Sequence, residues 1–189
     1  MNKAIFLDRD GTINVEKDYL FRIEDFEFIF GVKEALKLLQ ANDFLLIIIT
    51  NQSGIARGYY TEEDYRILND WMLKELKFQG INITSVYYCP HHPEAKVEKY
   101  RKNCNCRKPK LGLYEQAIED FNIDLSNSYA IGDKIRDCAI CKNTDCHGFL
   151  IASNEKTSVI EDVKNGKYEN VEYADDLLTA AIKLLKSST

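Results

Sequence analysis

The alternation of short apolar runs with stretches of helical period is the feature that most restricts how this chain can fold. Ala4 to Leu7, Phe44 to Ile49, Ile83 to Tyr88, Tyr129 to Ile131 and Phe149 to Ile151 read as strands, and helix-patterned segments separate them. Strands without a polar face must be covered on both sides. The pattern therefore predicts an α/β fold with a mainly parallel sheet and helices on both faces, whose ligand sites lie at the carboxyl ends of the strands.

The helices are signalled by spacing and by caps. One is expected from Val32 to Ala41. A second follows Tyr60, where Thr61 and Asp64 form a capping box, Tyr65, Leu68, Met72 and Leu76 share a face, and Gly80 ends the element. Others are expected from Leu113 to Phe121, after Asp133 toward Asn143, and from Ala174 to Lys186, the last closing the core. Asn14 to Phe30 and Cys89 to Lys110 are the least regular segments and the natural places for functional loops. No repeat or low-complexity linker divides the chain, so residues 1–189 are expected to form a single domain.

Composition narrows the class. At 189 residues and 45% hydrophobic content the chain can bury a full core. Its formal charge of −5 argues against wholesale binding to nucleic acid or membrane surfaces. The first strand follows Met1-Asn2-Lys3 directly, without a secretory leader, and no apolar run could span a bilayer; a cytoplasmic protein is expected. In that reducing setting six cysteines point to metal binding or buried thiols before disulfides.

Phe6-Leu7-Asp8-Arg9-Asp10-Gly11-Thr12 places two carboxylates, two residues apart, at the end of the first strand. Asp8 suits a nucleophile toward phosphorus and Asp10 a general acid that then activates water. The second strand runs into Thr50-Asn51-Gln52-Ser53-Gly54, where a hydroxyl and backbone N–H groups could hold phosphate oxygens. The fourth ends in Gly132-Asp133-Lys134. Gathered acidic groups need a hard cation, so one Mg²⁺ is expected, with Asp8 and Asp133 binding through side chains and Asp10 through its backbone carbonyl. Lys108 or Lys134 would offset the remaining charge.

Cys89-Pro90-His91 and Cys104-Asn105-Cys106 supply three sulfurs and an imidazole, a closed set suited to a structural tetrahedral Zn²⁺ in a loop of residues 89–110 with little apolar content of its own. His92 is the alternative imidazole, and His91 is preferred. Cys138, Cys141 and Cys146 read as buried thiols, with a redox sensor as the competing use. The basic stretch from Lys96 to Lys110 could serve a zinc-dependent nucleic-acid-binding module, or could present Arg107 and Lys108 to a phosphorylated small molecule. The second account also explains the aspartates.

The four motifs in order, Asp8-x-Asp10-x-Thr12, Thr50, Lys108 and Gly132-Asp133, resemble those of the haloacid dehalogenase superfamily of phosphatases. The resemblance implies a Rossmann-like sheet of order 5-4-1-2-3, with Asp8 and Asp133 on adjacent strands. Longer matches, including Thr50 to Gly58, Cys89-Pro90-His91-His92-Pro93 and Cys106-Arg107-Lys108-Pro109, are similar to the heptose bisphosphate phosphatases, in the histidinol-phosphatase-like family. That resemblance implies removal of the C7 phosphate of a heptose 1,7-bisphosphate through an aspartyl-phosphate, with histidinol phosphate or another sugar phosphate as the alternative substrate. It implies Asp8, Asp10, Thr50 and Lys108 as catalytic residues. It also implies substrate contacts from Gly11, Glu16, Lys17, Asp18, Tyr19, Asn51, Gln52, Ser53, Arg57, Arg107 and Lys134. A monomer acting on a small sugar phosphate, without a nucleic-acid or membrane partner, is the resulting expectation.

Overall fold

The computed structural model describes residues 1–151 and 155–187. The apolar runs form β1 (Ala4–Leu7), β2 (Leu45–Asn51), β3 (Ser85–Cys89), β4 (Tyr129–Gly132) and β5 (His147–Ile151), joined by a sixth strand, β6 (Val171–Ala174). All pairings are parallel and the sheet order is β3-β2-β1-β4-β5-β6. This is the expected order with one edge strand added. β6 escapes the sequence pattern because it is four residues long and carries the exposed Glu172 between Val171 and Ala174, which are buried in opposite cores.

Successive side chains of each strand point to opposite faces, so an apolar run covered on both sides feeds two cores. Ile5, Leu7, Leu46 and Ile48 pack against residues of α1 (Val32–Ala41), α6 (Leu177–Ser187) and the end of α3 (Glu62–Phe78). Ala4, Phe6, Ile47 and Ile49 pack with Leu113, Tyr114 and Ala117 of α4 (Gly112–Phe121) and with Val163 of α5 (Thr157–Lys164). A third, smaller cluster of Ile55, Ala56, Tyr60, Tyr65, Ala95 and Tyr100 ties α2 (Ser53–Arg57) and the start of α3 to the loop after β3.

Two expectations need correction, and two helices lie outside them. The last helix begins at Leu177, because Ala174 completes β6 and the Asp176 carboxylate accepts from Thr179 N at 2.7 Å, capping the helix after the turn. The segment after Asp133 is a 3₁₀ turn over Ile135–Cys141 interrupted at Cys138, not an α-helix. The five-residue α2 is too short to carry a periodic signal, and α5 was not anticipated. Residues 14–30 and 89–110 keep mostly irregular backbone, each with one 3₁₀ turn, at Ile23–Asp25 and Glu98–Tyr100. Cys138, Cys141 and Cys146 are buried in the second core. Among the described residues no helix is long and apolar enough to cross a membrane.

The capping box of α3 is complete: Thr61 Oγ1 accepts from Asp64 N at 3.1 Å and the Asp64 carboxylate accepts from Thr61 N at 2.8 Å. Thr61→Ala should lower the unfolding free energy by about 1 kcal/mol. Urea denaturation checks this, and an unchanged midpoint would show that the cap contributes nothing.

Candidate active site

β1 and β4 are neighbours, with Phe6 beside Ala130 and Leu7 beside Ile131, and Asp8 N donates to Ile131 O at 3.1 Å. The residues just past both strands therefore meet at the carboxyl edge of the sheet. Asp8, Asp133 and Asp137 present carboxylate oxygens within 4.8 Å of one another, and all three are buried. The Lys108 ammonium, also buried, lies 2.9 Å from Asp8 Oδ1 and 2.7 Å from Asp137 Oδ1, and donates to Ile49 O at 2.6 Å. Burial opposes the Lys108 charge, but Asp137 and Asp8 outweigh it and hold the ammonium above its ordinary value. Burial likewise pushes the Asp8 carboxyl up to about 6, with Lys108 pulling the other way and Asp137 and Asp10 adding to the rise.

One ammonium among three clustered carboxylates leaves an excess of negative charge in a buried place. Hard oxygen donors in such a cluster fit Mg²⁺. Asp133 also sits directly on the turn after β1: a Cβ on Gly11, whose φ is +82°, would lie 2.3 Å from Asp133 Oδ2. Glycine is needed there for the left-handed backbone and for the approach of the carboxylate.

Asp10 is held differently. Arg9, buried, reaches its Oδ1 from Nη2 at 2.8 Å and from Nε at 3.1 Å, and its Oδ2 from Nη2 at 2.9 Å. Asn14 Nδ2 donates to Oδ1 at 3.0 Å, and Gln52 Nε2 donates to Oδ2 at 2.9 Å and to Thr50 Oγ1 at 2.9 Å.

Asp8, Asp10, Lys108 and Asp133 open onto a cavity of about 200 Å³. Its other walls come from Glu16, Asp18, Tyr19 and Leu20, from Asn51 to Gly54 with Tyr60, and from Lys134 and Arg136. Burial, with the charges of Asp10, Asp8 and Asp18, pushes the Glu16 carboxyl up to about 7. Thr50 and Gly11 lie behind this surface, not on it.

Besides Gly11, three expected substrate residues do not line the cavity. Lys17 Nζ donates to Asp25 O at 2.8 Å and pairs with Glu27 at 3.3 Å. Arg57 Nη2 faces His92 Nε2 at 3.2 Å, and Arg107 Nη1 donates to His91 O at 3.4 Å. Sequence reasoning missed Arg9, Tyr60, Arg136 and Asp137. Asp137 carried a usable signal, since it falls four residues after Asp133 in a tight turn, where its Oδ2 accepts from Lys134 N at 2.9 Å.

Beside the cavity, Cys89, His91, Cys104 and Cys106 bring their donor atoms within 4.8 Å of one another. Sulfur–sulfur separations are 3.0 to 3.4 Å, and His91 Nδ1 lies 3.2 Å from Cys106 Sγ and 3.7 Å from Cys89 Sγ. A tetrahedral zinc with bonds near 2.3 Å to sulfur sets edges of about 3.8 Å, so the four donors need only a small outward adjustment to fit it. His92 points elsewhere, toward Arg57 and Glu94 N.

The model of the polynucleotide kinase 3 phosphatase family matches residues 3–177. A D-glycero-beta-D-manno-heptose-1,7-bisphosphate 7-phosphatase of Pasteurella multocida is 43% identical over 187 residues, 99% of this chain and 100% of that protein. The chain belongs to the heptose bisphosphate phosphatase family. A second member, from Haemophilus ducreyi, is 52% identical over 136 residues, 71% of this chain and 74% of its own. Within the same family, a D,D-heptose 1.7-bisphosphate phosphatase from B. bronchiseptica, solved in complex with magnesium and phosphate, superposes with a TM-score of 0.83 at 28% identity, covering 98% of this chain and 99% of that one. The parallel sheet and these relatives place the fold in the haloacid dehalogenase superfamily.

Removing the Lys108 charge leaves Asp8 and Asp137 buried without their counterion. Lys108→Met should therefore cost about 3 to 5 kcal/mol of stability. Denaturation at neutral pH measures the loss, and a variant as stable as the parent would contradict the ion-pair account.

Proposed function

We propose that this chain is a Mg²⁺-dependent phosphatase that removes the C7 phosphate of D-glycero-β-D-manno-heptose 1,7-bisphosphate and releases heptose 1-phosphate. The observation that carries the reading is the pair Asp8 and Asp10 opening with Asp133 and Lys108 onto one cavity, in a chain aligned end to end with a relative of that name. Asp8 and Asp133 would hold the cation through side chains and Asp10 through its carbonyl, and the cation would supply charge neutralisation for the phosphoryl group.

Asp8 Oδ attacks phosphorus in line, and the bond between phosphorus and the C7 oxygen breaks. Asp10 gives its proton to that oxygen as it departs. The Asp10 carboxylate then takes a proton from water, which attacks the aspartyl-phosphate and frees phosphate and Asp8. Lys108 fixes the orientation of Asp8, 2.9 Å away, and balances charge on the transferring group. Thr50, buried behind the cavity wall, accepts from Gln52 Nε2 at its hydroxyl and helps to position that amide beside Asp10.

Glu16, Asp18, Tyr19, Asn51, Ser53 and Lys134 surround the space for the sugar. Arg57 and Arg107 lie beyond it, and among the described residues the Arg57 Nε has no hydrogen-bond partner; both are assigned to the phosphate that stays at C1. Lys17, engaged with Asp25 and Glu27, is not assigned a contact. The Cys89, His91, Cys104 and Cys106 set is assigned a structural Zn²⁺ within one catalytic domain. Six unbridged cysteines, three of them assigned to zinc, suit an enzyme of the reducing cytoplasm, and a monomer is proposed.

Asp8→Asn should abolish release of phosphate from the bisphosphate while leaving the melting temperature within a few degrees of the parent; retained turnover would defeat the nucleophile assignment. In a substrate panel, a higher kcat/KM for histidinol phosphate than for the heptose bisphosphate would replace the substrate proposed. Stripping zinc with a strong chelator should raise amide hydrogen exchange across residues 89–110 and leave β1, β2 and β4 protected. Loss of protection throughout the sheet would mean that the metal supports the whole fold.

A further inference from the structure

Tyr60 stands one step from the reacting atoms. Its hydroxyl donates to Gln52 Oε1 at 2.5 Å, and the other end of that amide, Nε2, donates to Asp10 Oδ2 at 2.9 Å. An amide has one accepting and one donating end, so a donor fixed on Oε1 decides which end Asp10 meets. With the phenol in place, Asp10 meets N–H. Without it, rotation about the last side-chain bond of Gln52 could bring Oε1 to Asp10, and two acceptors would then face each other.

The surroundings hold the phenol in this position. Tyr60 is 7% exposed, and its ring stacks on Phe21 with centroids 5.5 Å apart. Gly54 makes room for it: a Cβ there would lie 2.1 Å from Tyr60 Cε1 and 2.9 Å from the hydroxyl oxygen. The Arg9 guanidinium lies 3.5 Å from Gln52 Oε1 and does not replace the phenol as a close donor.

We infer that Tyr60 is a positioning residue for acid–base catalysis, orienting the Gln52 amide so that its N–H stabilises the Asp10 carboxylate as it gives up its proton. The inference rests on the phosphatase reading and on Asp10 as the general acid, but not on which sugar is the substrate. As the proton passes to the leaving oxygen, negative charge grows on Asp10, and a donor already aimed at Oδ2 strengthens its bond at that moment. In kcat/KM, which reports only the steps through departure of the leaving oxygen, the benefit is confined to esters whose leaving oxygen needs the proton. A sugar alkoxide does; p-nitrophenolate, a far weaker base, does not.

Tyr60→Phe tests this while keeping the ring over Gly54. The expected result is a fall of about tenfold in kcat/KM for the heptose bisphosphate, carried by kcat with KM within twofold, and no change beyond twofold for p-nitrophenyl phosphate. Tyr60→Leu, measured beside it, should show the same dependence on leaving group. Equal losses for both esters would assign Tyr60 to packing or substrate binding, and undiminished activity toward both would show that the amide needs no phenol; either result overturns the inference. An unmodified enzyme that cleaves p-nitrophenyl phosphate and glycerol 3-phosphate but not the heptose bisphosphate would sink the proposed substrate alone. The ratio between those two esters would then decide the role of Tyr60. Absence of phosphatase activity toward every ester would overturn both.

Discussion

The buried ammonium of Lys108, shared between Asp8 and Asp137, is the contact on which the site is built. It joins three parts of the chain that are far apart in sequence: the turn after β1, the end of the loop that follows β3, and the turn after β4. Each group alone would be a costly buried charge. Together they offset one another, and each of the three turns is held where the others require it. The bond from Lys108 Nζ to Ile49 O adds the end of β2 to the same knot.

The parallel sheet makes this convergence possible. Strands running the same way bring all their carboxyl ends to one edge, so residues just past β1, β2 and β4 are neighbours without any long excursion. Strands covered on both faces are also stiff platforms, each anchored in two cores. The two carboxylates of the first turn then divide into different roles through their partners. Asp8 faces an ammonium and two other acids. Asp10 turns into a set of fixed donors from Arg9, Asn14 and Gln52.

The loop of residues 89–110 shows how a polar segment can be placed beside such a site. Cys89 is both the last residue of β3 and one of four clustered donors, so the donor cluster is continuous with the sheet. Lys108 emerges from the same loop two residues after Cys106. The order of the loop therefore bears directly on where the ammonium sits. Ala95 and Tyr100 add apolar anchorage against Ile55, Ala56 and Tyr65.

Much of this is legible in the sequence. Continuous apolar runs announced two-sided burial, Thr61 with Asp64 announced the start of α3, and the paired cysteines with His91 announced a common cluster, because each rests on short-range chemistry or on periodicity. β6 and the late start of α6 were hidden, since a four-residue strand interrupted by the exposed Glu172 gives too short an apolar run to read and Asp176 caps a helix by a contact that pattern alone does not reveal. The polar links were hidden more deeply. The nearness of Asp137 to Asp133 does not say that Lys108 meets it, and nothing local marks Arg9 as the clamp on Asp10 or Tyr60 as the donor that sets the Gln52 amide. The kinds of group the chain could use were written in its residues. Which of them meet, and which way their dipoles point, followed from bringing distant turns to a single edge, where distance and burial select among many chemically possible pairs.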